Sequence, residues 1–147
     1  MGSHTPLASY SAFRWAGDTL HLAGIVAYDA ALGRVVRGYQ DLPAEMAAEL
    51  ATGAPSIDCK EGPIAAQTWF VLNEAKRILE GEGLGLEDVV RLHQYMTDLR
   101  DFPVFNRVRL LFFPSDPPAS TVVEVAGLLP NEDSRIEVDV IAHRSRR

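Results

Sequence analysis

The chain has 147 residues, a mass of 16.1 kDa, a formal charge of −6, 47% apolar residues and a mean hydropathy of −0.01. That length fits a single domain, 1–147, able to bury a core without disulfides or metals. No apolar run approaches the roughly 20 residues that cross a bilayer, and the acidic balance opposes a phosphate backbone, so neither a membrane nor a nucleic acid is an expected partner.

Met1-Gly2-Ser3-His4 lacks the basic flank and apolar core of a signal peptide, which leaves the cytoplasm as the default location. The same string also reads as a cloning scar, so its native status stays open. The lone cysteine, Cys59, cannot form an internal disulfide and has no neighbours that would make it a ligand or a nucleophile. The dense basic cluster of the chain is the short tail His143-Arg144-Ser145-Arg146-Arg147, read as solvated.

In chain order, Phe13 to Ala16 and Thr19 to Ala23 flank Gly17-Asp18 and read as a hairpin of open turn type. Val35-Val36, between Gly33 and Gly38, suggests another short strand. Pro43 to Leu50 has helix-forming composition and is broken by Thr52-Gly53-Ala54-Pro55-Ser56. The stretch of about 39–62 is expected to be an insertion, either a surface elaboration or a rim over a pocket. From Pro63 the apolar residues Ile64, Ala65, Trp69, Leu72, Ala75, Ile78 and Leu79 recur at helical spacing, closed by Gly81 and Gly83. Val89 to Met96 then reads as a strand, Phe102 to Phe113 as a second helix ended by Pro114, and Ser120 to Val125 and Arg135 to Ala142 as two more strands. The order ββ(β)αβαββ predicts an α+β fold, a mixed sheet with two helices packed on one face.

Alternation in the last strand puts Ile136, Val138 and Val140 on one side and Glu137, Asp139 and Ile141 on the other. In Ser120 to Val125, Val122 lies on one face and Val123 and Val125 on the other. Two helices shield one face only, so a sheet with apolar residues on both predicts self-association. Glu137, an acid on a core strand sharing a face with Asp139, is either hydrated at the sheet margin or held where paired carboxylates raise one another's pKa.

Several short strings carry more than periodicity. They are Tyr10-Ser11, Ala23-Gly24, Ala66-Gln67-Thr68, Tyr95-Met96-Thr97-Asp98-Leu99, Val104-Phe105-Asn106, Pro117-Pro118-Ala119-Ser120-Thr121-Val122-Val123-Glu124-Val125 and Ile136-Glu137-Val138. In this order and spacing the chain resembles the RidA/YjgF family, also known as L-PSP endoribonucleases, over nearly its whole length outside the insertion. The resemblance implies the RidA, chorismate-mutase-like fold, a homotrimer with a site at each subunit interface, a small-molecule substrate, and hydrolysis of reactive imines and enamines without a cofactor. Carried over by position, it implies that Glu137 binds the catalytic water, that Tyr10 and Asn106 line the pocket, and that Gly24 brings backbone to the ligand.

The family's arginine that grips the substrate carboxylate falls at Ser120 in this chain. With Thr121 beside it, the Ser120 hydroxyl can donate to a neutral carbonyl or enol but brings no charge, so a plain 2-imino acid is expected to bind poorly unless another cation enters the pocket. Arg109, three residues after Asn106 on the same helix face, is one candidate cation, with a side chain snorkelling over the helix as its other reading. Lys60 is a second, weaker one. His21 and His93 have no partner at metal-ligand spacing, so no metal site is expected. Trp15 and Trp69 read as core or interface residues. Three functions stay open at this stage: a RidA-like enzyme acting on an imine, enamine or enol-type metabolite, a non-catalytic metabolite-binding or regulatory trimer, and a biosynthetic cyclase or tautomerase.

Overall fold

Residues 6–145 are described by the computed structural model, so Met1 to His4 and the Arg146-Arg147 end of the basic tail lie outside it. The chain opens with strands β1, Phe13–Ala16, and β2, Thr19–Leu22, paired antiparallel with Ala16 opposite Thr19. Their two-residue loop has positive φ at Gly17 alone, the II′ geometry that matches the twist of a hairpin and that glycine adopts without strain. Short strands β3, Ile25–Val26, β4, Tyr28–Asp29, and β5, Arg34–Val35, follow, the last two forming a separate hairpin.

Helix α1, Ala44–Leu50, and helix α2, Pro55–Gly81, come next. The break expected at Thr52 to Ser56 lies between them, but α2 starts eight residues before Pro63, the start expected from periodicity. Two features let the helix run through that proline. Pro63 lacks only one backbone donor, and Gly62 before it has no Cβ to clash with the proline ring. At the true start, Asp58 accepts from the Thr52 and Gly53 backbone N–H groups at 2.8 and 3.0 Å, and Pro55 sits in the first turn. Residues 39–62 therefore hold a 3-10 turn, α1 and the first two turns of α2. Leu42 and Leu50 anchor them in the core, and Arg107 ties them to the second long helix through Glu61 at 3.1 Å.

Strand β6, Val89–Met96, helix α3, Phe102–Phe112, and strand β7, Ala119–Glu124, form a β-α-β unit with the two strands parallel. Strand β8, Ile136–His143, completes a sheet of order β1-β2-β8-β6-β7, with β3 also pairing β8. The expected α+β architecture is thus the observed one, with α2 and α3 on one face of a mixed sheet.

The core lies between that face and the helices. Ile136 and Val138 are fully buried and Val140 is 2% exposed, packed with Leu92, Met96, Leu72, Phe105 and Val108. Burying such side chains is worth about 1.5–3 kcal/mol each relative to leaving them exposed. Gln67, 1% exposed on α2, stitches this layer to the chain before β8. Its amide donates to Val36 O and Asp133 O at 2.9 and 2.7 Å, and its oxygen accepts from Arg135 N–H at 2.9 Å. Among the described residues no helix covers the opposite sheet face. It carries Arg91, His93 and Tyr95 of β6, Thr121 and Val123 of β7, and Glu137, Asp139 and Ile141 of β8, with Val123 41% exposed.

Candidate active site

The expected site residues fall into two clusters on opposite faces of the sheet. Cross-strand registers decide this. Ser120 pairs with Leu92, which pairs with Val140, so Ser120 faces the helices. Glu137 pairs with Tyr95, which pairs with Val123, so Glu137 faces the open side.

On the helix side, at the exposed edge strand β7, Ser120 meets Arg109 and Asn106 of α3. The Arg109 guanidinium donates from Nη1 to Ser120 Oγ at 2.9 Å and to Gln94 Oε1 at 2.8 Å, and from Nη2 to Asn106 Oδ1 at 2.6 Å. Its carbon lies 5.8 and 5.4 Å from the ring centroids of Phe102 and Phe105, within cation–π range. Of the two readings of Arg109, the free snorkelling side chain is not what the molecule shows. Burial alone pushes its pKa down.

Gln94 was not expected here. It is fully buried on β6, and its Nε2 donates to Leu92 O and Thr121 O at 3.0 and 2.9 Å and lies 2.8 Å from Ser120 Oγ, which shares one of its two hydrogens. Two backbone carbonyls can only be met by the amide nitrogen, so the carboxamide cannot flip and its oxygen is turned onto Arg109. The signal was in the sequence: Gln94 takes the same face of its strand as Leu92 and Met96, where a polar group survives only with its hydrogen bonds satisfied.

On the open face, the Glu137 carboxyl is half-buried and makes no hydrogen bond among the described residues. It lies over Gly24, where a Cβ would stand 2.8 Å from Glu137 Cδ and 2.9 Å from Oε2. Glycine here makes room for the carboxyl. Burial pushes the Glu137 pKa up and the neighbouring Asp139 adds to this. Asp139 is held in turn by His93 Nδ1 at 2.8 Å and by the Tyr95 hydroxyl at 3.0 Å, which raises the Tyr95 pKa. Because Arg91 Nε donates to His93 Nε2 at 2.9 Å, the ring hydrogen sits on Nδ1 and points at Asp139.

Thr121 belongs to this second cluster, since its hydroxyl accepts from Arg91 Nη2 at 2.5 Å on the face away from Ser120. The two hydroxyls expected to act side by side are therefore separated by the pleat. Tyr10 lies exposed in the irregular segment before β1, and the Ala23 N–H bond to Ala12 O at 2.9 Å holds that segment alongside the turn at Gly24. Lys60 sits on the exposed surface of α2.

A separate cavity of about 660 Å³ opens beyond the C-terminal ends of β6 and β7, lined by Thr97 to Arg100 and Glu124 to Ala126. None of the expected site residues lines it. Its Asp98 is already paired with Arg100, which holds the carboxyl down to about 2.

The Endoribonuclease L-PSP family model matches residues 2–144 of the chain. A RutC family protein of Pyrococcus horikoshii is 32% identical over 139 residues, which span 95% of this chain and 90% of that protein. A solved structure from Klebsiella pneumoniae, 43% identical, superposes with a TM-score of 0.87 over 91% of this chain and 98% of its own. The 3-aminoacrylate deaminase RutC of Acinetobacter baylyi is 39% identical over 82 residues, 56% of this chain and 64% of that enzyme. The chain belongs to the Endoribonuclease L-PSP family, the RidA/YjgF family that its own motifs resemble.

Proposed function

We propose that the protein hydrolyses the C=N bond of a small imine, or of an enamine in its imine tautomer, at sites shared between subunits of a homotrimer. Water adds to the imine carbon, the nitrogen leaves as ammonia, and Glu137 takes and returns the proton that water must lose. The observation that carries this reading is the Glu137 carboxyl. It has no hydrogen-bond partner among the described residues, has room made for it by Gly24, and has its pKa raised by burial and by Asp139. A general acid–base works best with its pKa moved toward the working pH, and a raised carboxyl meets that need. The 39% identity to a 3-aminoacrylate deaminase, named for an enamine, supports the reaction class.

Two subunits are needed for a geometric reason. Ser120, Asn106 and Arg109 lie on the helix side of the sheet and Glu137 and Gly24 on the other, so one small substrate can touch both clusters only if they come from two chains. The uncovered, partly apolar sheet face supplies a surface for that association. Ser120 alone predicts that a plain 2-imino acid binds poorly unless another cation enters, and Arg109, whose Nη1 meets Ser120 Oγ at 2.9 Å, is that cation in this reading. Ammonia release from 2-iminobutanoate or 3-aminoacrylate generated in situ therefore tests it. Release well above the buffer rate, lost in Glu137→Gln, is expected; release at the buffer rate for both substrates overturns it.

A further inference from the structure

We infer that His93 is a positioning residue: together with Tyr95 it fixes Asp139 as a hydrogen-bond acceptor only, so that Glu137 is the acid of the open face that carries the proton. What Glu137 does with that proton rests on the imine-hydrolase reading.

Two carboxyls on one face of a strand compete for a proton. Glu137 and Asp139 are two residues apart on β8, about 7 Å from Cα to Cα, and both face the open side. Acids that close titrate as a pair unless their surroundings differ, and here they differ. Glu137 is half-buried without a donor among the described residues, so that burial first and the Asp139 charge second favour its protonated form. Asp139 instead has a donor on each oxygen: His93 Nδ1 lies 2.8 Å from Oδ1 and the Tyr95 hydroxyl 3.0 Å from Oδ2. An ionised carboxylate accepts at both oxygens, whereas a protonated one must turn an O–H toward one of these donors.

The His93 hydrogen is committed to Asp139 from behind. Arg91 Nε donates to His93 Nε2 at 2.9 Å, which leaves the ring hydrogen on Nδ1, and Arg91 is itself steadied by Nη2 on Thr121 Oγ at 2.5 Å. The contacts cross three strands, from Thr121 of β7 through Arg91 and His93 of β6 to Asp139 of β8. The titratable and charged groups facing this part of β8 are Glu137 on the strand itself, Arg91, His93 and Tyr95 on β6, and His21 on β2, with Arg14 of β1 beyond it. The third neighbour of β8, strand β3, brings only Ile25 and Val26. Among these groups His93 and Tyr95 are the ones bonded to Asp139. Without their donors Asp139 would be a second acid beside the first, and the proton that the reaction places on Glu137 would be shared between them.

Carbon-13 NMR of the side-chain carboxyls, in protein labelled at Asp and Glu and assigned with Glu137→Gln and Asp139→Asn, reads both protons without turnover. As pH falls from neutral, the wild-type Glu137 signal should titrate while Asp139 takes up no proton over the same range. His93→Phe keeps a ring and removes the donor, so Asp139 should then titrate alongside Glu137, whose midpoint moves to lower pH. His93→Asn sets an amide N–H near the place of Nδ1 and should restore the wild-type pattern, and Tyr95→Phe should reproduce the His93→Phe pattern more weakly. Because Glu137 must be ionised to take a proton from water, the acid limb of kcat/KM for ammonia release should follow its midpoint down in His93→Phe and return in His93→Asn. Uptake of a proton by wild-type Asp139 over the Glu137 range would overturn the inference before any variant is made. So would unchanged titrations in folded His93→Phe and Tyr95→Phe, or a folded His93→Asn that behaves as His93→Phe does. The expected titrations with no ammonia release by the wild type would instead overturn the hydrolase reading alone.

Discussion

Ser120 and Glu137 lie on opposite faces of one sheet, Ser120 in register with Leu92 and Val140 and Glu137 in register with Tyr95. The backbone of the sheet separates the hydroxyl that meets Arg109 from the carboxyl that lies over Gly24. Every functional statement about the two residues together is therefore also a statement about assembly.

If the sites are shared, the protein in solution should have a mass near three times 16.1 kDa. Light scattering coupled to size exclusion measures this directly. A monomer that persists at micromolar concentration would leave Glu137 and Arg109 with no common ligand.

Replacing Glu137 by Gln removes the proposed proton carrier and keeps the shape. Steady-state ammonia release should drop by about 100-fold, as is typical for loss of a general acid or base, with oligomer mass and far-UV circular dichroism unchanged. An undiminished rate would assign the proton to another group.

The raised Glu137 pKa also has a sign in stability. Between its unfolded value, near 4.3, and its higher folded value, the folded protein holds more protons than the unfolded chain. The stability it contributes is present at low pH and is lost as pH rises through the folded pKa. Thermal melts from acid to neutral pH should therefore show wild type losing ground to Glu137→Gln as pH rises, and Asp139→Asn should move that loss to lower pH. A difference between wild type and Glu137→Gln that stays flat across the range would mean that burial does not perturb the carboxyl.

Gly24→Ala separates room for the carboxyl from fold. The added Cβ would meet the end of the flexible Glu137 side chain, not backbone, and Gly24 is not among the residues with positive φ. The carboxyl should swing aside at little cost in melting temperature, while turnover falls toward that of Glu137→Gln. Full activity in Gly24→Ala would show that the carboxyl's position over Gly24 is immaterial.

How much of this was legible in the sequence depended on whether the information was local. The buried trio Ile136, Val138 and Val140, the hairpin at Gly17 and the helix from Phe102 all follow from short-range periodicity. The first two turns of α2 lie ahead of Pro63, which reads as a helix start when the relief given by Gly62 and the bonds from Thr52 and Gly53 N–H to Asp58 are not weighed. Gln94 was missed although its place between Leu92 and Met96 marked it as buried. The division of Ser120 from Glu137 was out of reach, because it rests on β6 pairing parallel to β7 and antiparallel to β8 in one particular register. Thr121 was grouped with Ser120 by adjacency in sequence, the one relationship that a pleated strand turns into opposition.

The most direct test of a shared site is complementation between two variants, each defective in one cluster. Glu137→Gln and Arg109→Gln chains, co-expressed in equal amounts with separable tags, form mixed oligomers in which some interfaces join an intact Arg109 cluster to an intact Glu137. Random assembly makes about a quarter of the sites whole. Each mixed trimer has one whole site among its three, so ammonia release from 2-iminobutanoate by the purified mixed species should recover to about a third of the wild-type rate, although each variant alone is nearly inactive. Mixed oligomers no more active than the average of the separate variants would contradict the account, because the two clusters would not serve one site.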